Sequence, residues 1–134
     1  MAKNTIKTWV LVVEDDTAFA GAISKKLQGE GYEVLSCGKI SEANTKVTNQ
    51  KFACILLDMR LEQGSGERII TLVRADKKQT NFTTPILVMS GFLDPEVVKR
   101  IGKQVQGVFV KPFSPDALLD KIKSLSPPAK PDDL

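Results

Sequence analysis

Five short apolar runs punctuate the chain, at residues 9–13, 32–35, 52–57, 85–89 and 108–110. They are rich in Val, Ile and Leu, and continuous rather than alternating. That is the pattern of strands covered on both faces, as in a parallel sheet. The segments between them change period. Residues 17–28 place Phe19, Ile23 and Leu27 on one helical stripe, and Gly29 and Gly31 then offer a stop. A second helix is predicted over 42–49, capped by Ser41, and a third over 66–75 with Ile69, Ile70, Leu72 and Val73 as its apolar set. Asp94-Pro95 and Ser114-Pro115 each supply a cap followed by proline in the first turn, which predicts helices over 95–105 and 115–125. Strand and helix thus alternate five times. The alternation predicts an α/β domain with a parallel sheet and right-handed crossovers. The final segment, SPPAKPDDL at 126–134, is proline-rich and polar, and reads as a disordered tail or the start of a linker.

Ligands of open α/β sheets bind beyond the carboxyl ends of the strands. The residues just after the apolar runs are therefore the informative ones. Glu14, Asp15 and Asp16 follow the first run, Asp58 the third, Ser90-Gly91 the fourth and Lys111-Pro112 the fifth. A strand that buries Ile and Leu has no packing reason to finish on a carboxylate. Two carboxylates about 4 Å apart repel by about 4 kcal/mol at an effective dielectric near 20. Gathered on one sheet edge, these acids need cations. Lys111 supplies one charge, and a hard divalent ion such as Mg²⁺, which takes oxygen ligands, supplies two more. Acids, lysine and hydroxyl together are the parts that hold a transferring phosphoryl group, with Asp58 as a carboxylate nucleophile. Each feature has an ordinary alternative: Asp16 can simply cap the next helix, and Lys-Pro can be a plain turn. Four of them in order on one edge favour the chemical reading.

Composition narrows the classes. The 134 residues suit one domain, and 42% hydrophobic with 26% charged is ordinary for a globular protein. A net charge of +3 without a basic run argues against direct nucleic-acid binding. The start, MAKNTIKTW, has no apolar core of a signal peptide, and no stretch approaches the roughly 18 apolar residues of a membrane span. A cytoplasmic protein without membrane insertion is expected. Histidine is absent, which excludes Ser-His-Asp catalysis, zinc sites built on His and a phosphohistidine-donor role. Cys37 and Cys54 fit no metal or redox spacing and read as buried core residues.

"VLVVEDD", "CILLDMRLEQGSG", "PILVMSG" and "GVFVKPF" together resemble the receiver domain of bacterial two-component response regulators, of the single-domain, chemotaxis-regulator-like kind. The resemblance covers about residues 7–125. It implies a flavodoxin-like receiver fold, a doubly wound five-stranded parallel sheet in the order 2-1-3-4-5. It assigns Asp58 as phosphoacceptor, Glu14, Asp15 and Asp58 as Mg²⁺ ligands with the backbone carbonyl of Arg60, Ser90 as the switch hydroxyl and Lys111 as the phosphoryl counter-ion. It implies a cis Lys111–Pro112 bond and a small residue, Gly91, beside the site. Arg60 and Phe92 occupy positions that border the site and tune acyl-phosphate hydrolysis in the family. The implied partners are a histidine kinase or phosphotransfer protein and an unknown output protein. In the order 2-1-3, two strand spacings of about 9.6 Å separate Cys37 from Cys54, beyond the roughly 7 Å reach of a disulfide.

Two positions depart from the family pattern. Glu62 stands where proline is usual, so the loop loses a fixed φ. Val108 stands where an aromatic switch residue is usual, and the adjacent Phe109 is expected on the opposite face of its strand. A muted switch is therefore expected. Other readings are a Mg²⁺ phosphohydrolase, which Arg60 disfavours because such enzymes commonly carry a second acid there; a non-phosphorylated interaction module; and the receiver part of a longer transcriptional regulator or hybrid kinase.

Overall fold

A computed structural model describes residues 7–129. Its main sheet is built from β1 (Trp9–Val13), β2 (Glu33–Cys37), β3 (Cys54–Asp58), β6 (Ile86–Ser90) and β7 (Gly107–Val110). The order is β2-β1-β3-β6-β7, and every neighbouring pair is parallel. Counted as main strands, that is the expected 2-1-3-4-5. Five helices cover it: α1 (Thr17–Gly29), α2 (Ile40–Asn49), α3 (Glu67–Arg74), α4 (Pro95–Ile101) and α5 (Pro115–Leu125).

The apolar runs are continuous because both faces of the sheet are covered. Leu11, Val13, Ile55 and Leu57 pack with Ile40, Ala43, Val47, Ile69, Ile70, Val73 and Ile101, from α2, α3 and α4. Val10, Val12, Leu56 and Met89 pack with Ala20, Ile23, Leu27, Leu118, Leu119 and Ile122, from α1 and α5. Among the described residues no helix is long and apolar enough to cross a membrane.

Several boundaries differ from the sequence expectation. Ser41 does not cap α2, which starts two residues earlier than expected, at Ile40, behind an extended Lys39 that makes no side-chain cap bond. Buried Ile40 anchors the first turn instead. The helix expected over 95–105 ends at Ile101, where Gly102 closes it, although Val105 remains buried. A hairpin that the sequence did not announce, β4 (Arg60–Leu61) with β5 (Gly64–Ser65), follows Asp58. Gly64 closes its turn at φ +137, a conformation suited to glycine. The expected loose tail is tied down in its first part. Ser126 donates to the Ala53 carbonyl and accepts from the Tyr32 hydroxyl at its own, and the Ala129 N–H bonds Thr8. Residues 130–134 lie outside the described residues.

The two cysteines are free and buried, and they lie on opposite faces of the sheet. Burial pushes the Cys37 thiol up to about 11 and the Cys54 thiol up to about 12. Thiolate is the reactive form. Neither thiol is therefore expected to react with a disulfide reagent in the native state, and both should react after unfolding in urea. An intramolecular bridge in non-reducing mass spectrometry would contradict the strand order.

Candidate functional site

The carboxyl edge of the sheet gathers the strand-end residues. Glu14 leaves β1 with its N–H bonded to the Cys37 carbonyl at 2.9 Å, which fixes it against β2. Asp58 closes β3 and Ser90 closes β6. Lys111 leaves β7 with its N–H on the Ser90 carbonyl at 2.7 Å, and the bond to Pro112 is cis, as the resemblance implied.

Glu14, Asp15 and Asp58 offer carboxylate oxygens that all lie within 4.8 Å of one another. The Lys111 ammonium bridges two of them, bonding Glu14 Oε1 and, at 3.3 Å, Asp58 Oδ2. Glu14 and Asp58 are only 2% and 5% exposed, so water does little to screen their repulsion. Burial, reinforced by the neighbouring Asp58, pushes the Glu14 carboxyl up to about 7 against the pull of Lys111. Burial also works against the charge on Lys111, yet Glu14 and Asp58 outweigh it and hold the ammonium above its ordinary range. Three acids facing one lysine leave an excess of negative charge that a hard cation with oxygen ligands would balance. The donor set fits such an ion.

Main-chain amides orient the other lone pairs. Arg60 N–H donates to Asp58 Oδ1 at 3.0 Å, Asp16 N–H to Glu14 Oε2 at 3.2 Å, and Glu62 N–H to Asp15 Oδ2 at 2.9 Å. Asp16 itself caps α1 through the Phe19 N–H, so its ordinary reading holds. The Ser90 hydroxyl is fully buried and turned onto its own loop, donating to the Phe92 carbonyl at 2.7 Å.

Two contributors escaped the sequence reading. Phe19 lies under Lys111, its ring centroid 4.4 Å from Nζ, and packs edge-on against Phe113. A cation over an aromatic face is attracted to it, so the ring restrains the lysine. Its place in an apolar helical stripe hid that role. The Glu62 amide is the second, since backbone donors leave no mark in residue type. Arg60 and Phe92 do border the site, the guanidinium 6.0 Å from the ring centroid. Val108 is exposed, while Phe109 turns to the opposite face and packs on Phe113, as strand alternation requires.

A family model described as the response regulator receiver domain matches residues 10–123. The DNA-binding response regulator MtrA of Mycolicibacterium smegmatis is 28% identical over 122 residues, covering 90% of this chain and 51% of MtrA. The chain thus spans about half the length of the curated relatives it matches. The chemotaxis protein CheY4 of Vibrio cholerae, crystallised at low pH, superposes with a TM-score of 0.76 at 29% identity, covering 90% of this chain and 99% of that one. The response regulator TrrA of Thermotoga maritima, solved in complex with Mg²⁺-BeF, shares the fold with a TM-score of 0.75 at 24% identity, covering 88% of this chain and 98% of that one.

Proposed function

Since the chain belongs to the response regulator receiver domains of two-component signalling, we propose that it is a Mg²⁺-dependent phosphoacceptor modified on Asp58 by a partner histidine kinase or phosphotransfer protein. The observation that carries this reading is the Lys111 ammonium held between Glu14 and Asp58 at one edge of the sheet, beside a third carboxylate. A carboxylate oxygen of Asp58 attacks phosphorus. The new bond is P–O, and the P–N bond to the donor imidazole breaks with its electron pair left on nitrogen. Lys111 then faces the phosphoryl oxygens as counter-ion. Glu14, Asp15, Asp58 and the Arg60 carbonyl are the groups that would hold Mg²⁺, which when bound neutralises charge on the transferring group. The chain acts only on its own modification and its slow hydrolysis. Output leaves by protein–protein contact, and the face carrying exposed Val108 and Val110 with α4 and α5 is the surface we assign to it. Incubation with acetyl phosphate and Mg²⁺ tests the reading: the intact protein gains one phosphoryl group, and a chain that gains none sinks it.

The switch should be muted. A phosphoryl oxygen draws the Ser90 hydroxyl from the Phe92 carbonyl, since charge-assisted hydrogen bonds are the stronger ones. The loop so released borders an open groove of about 460 Å³ lined by Phe92, Leu93, Asp94 and Val97, so it has room to move. Val108 is β-branched, stiff at χ1 and small. It cannot sweep the volume of a rotating ring. With beryllofluoride, a phosphoryl mimic, amide shifts are expected to concentrate in residues 90–101. Equally large shifts across 107–110 and 115–125 would refute the muted switch.

A further inference from the structure

We propose that the main-chain N–H of Glu62 is a positioning group for Asp15, holding that carboxylate in the cluster ready for Mg²⁺; this rests on the metal site proposed above. Asp15 is the most exposed of the three acids and, among the described residues, makes no ion pair. Repulsion from buried Glu14 and Asp58 drives an unrestrained Asp15 side chain toward solvent. One restraint opposes this, the 2.9 Å bond from Glu62 N–H to Oδ2. It occupies Oδ2 and leaves Oδ1 to other partners.

The hairpin is built to offer that amide. Leu61 pairs with Gly64, so Glu62 and Gln63 form its two-residue turn. The Arg60 N–H already grips Asp58 Oδ1. The amides of Arg60, at the start of β4, and of Glu62, in the turn, thus hold two of the three carboxylates from one short segment. The donor exists only because residue 62 is not proline, which has no N–H. The departure from the family pattern is thus the source of the contact.

Glu62→Pro removes the N–H together with the side-chain carboxylate, and Glu62→Ala removes the carboxylate alone. Their ratio isolates the amide. Proline suits the first turn position, and Leu61 before it is already extended. Mg²⁺ is titrated into the full chain and followed by amide NMR, because Trp9 begins β1 at the end remote from Glu14 and is a distant fluorescent reporter. Glu62→Pro is expected to bind on the order of tenfold more weakly than Glu62→Ala, the lower end of what losing an outer-shell partner costs. Equal or tighter binding overturns the proposal while leaving the metal site intact. A wild type that shows no response to Mg²⁺ overturns the metal site and the proposal with it. Should Glu62→Pro not fold, hydrogen exchange of the Glu62 amide decides: slower exchange in wild type than in Asp15→Ala supports the contact, and equal rates overturn it.

Discussion

Asp58→Asn is expected to gain no phosphoryl group from acetyl phosphate and Mg²⁺, under conditions where the wild type gains one. The substitution keeps shape and most hydrogen bonding. An amide oxygen at Oδ1 still accepts the Arg60 N–H that orients the native carboxylate. What disappears is the anionic nucleophile, and an amide is a poor one. No neighbour takes over readily. Glu14 is buried and bonded by Lys111 on one oxygen and the Asp16 amide on the other. The Ser90 hydroxyl faces the Phe92 carbonyl. The fold should survive, because removing one of three clustered acids beside a single lysine relieves repulsion. Intact-mass spectrometry reads the modification, and a thermal melt confirms the folded state. Incorporation into the variant equal to wild type would show that Asp58 is not the acceptor.

The residues of this site were legible because the fold concentrates chemistry at one sheet edge. Acids after β1 and β3, a hydroxyl at the end of β6 and a lysine after β7 stand out against apolar runs that give them no packing role. Helix caps with a side-chain oxygen were legible for the same local reason: Asp94 and Ser114 both accept first-turn amides. Ser41 misled because a good capping type was weighed without the burial of Ile40 just before it. The hairpin at 60–65 was invisible, since two-residue strands have no period to detect.

Contacts made through space to backbone atoms were equally hidden. Arg74 looks like a solvent-facing helix residue, yet its guanidinium donates to the carbonyls of Asn81, Phe82, Thr84 and Gln104. Buried Asn81 in turn bonds the Phe52 amide and the Val47 carbonyl. Arg74 thus satisfies carbonyls of the long connection before β6, and Asn81, which lies in that connection, ties it to α2 and to the segment leading into β3. Nothing in their own neighbourhoods foretold it.

Gly66→Ala is expected to destabilise the domain by about 3 kcal/mol, lowering the melting temperature by roughly 10 °C. Its backbone is not the reason: φ −61 and ψ −17 are ordinary for any residue. The reason is space. A Cβ there would stand 2.3 Å from the Asp58 carbonyl oxygen and 3.1 Å from two side-chain carbons of Leu57. Neither obstacle yields. The carbonyl belongs to the central strand β3, and Leu57 is fully buried. Helix α3 cannot retreat either, because Ile69, Ile70 and Val73 seat it on the sheet and the Gly66 N–H bonds the Met59 carbonyl at 3.0 Å. The usual gain on replacing glycine, about 0.4–1 kcal/mol from the unfolded chain, is too small to offset the clash. Gly21 gives the opposite sign. It lies in the exposed middle of α1, and an added Cβ meets nothing within 4 Å. There alanine should stabilise by about 1 kcal/mol through helix propensity. Thermal melts of the two variants beside wild type test both. A Gly66→Ala chain that melts with the wild type, or above Gly21→Ala, would show that α3 is free to shift from β3.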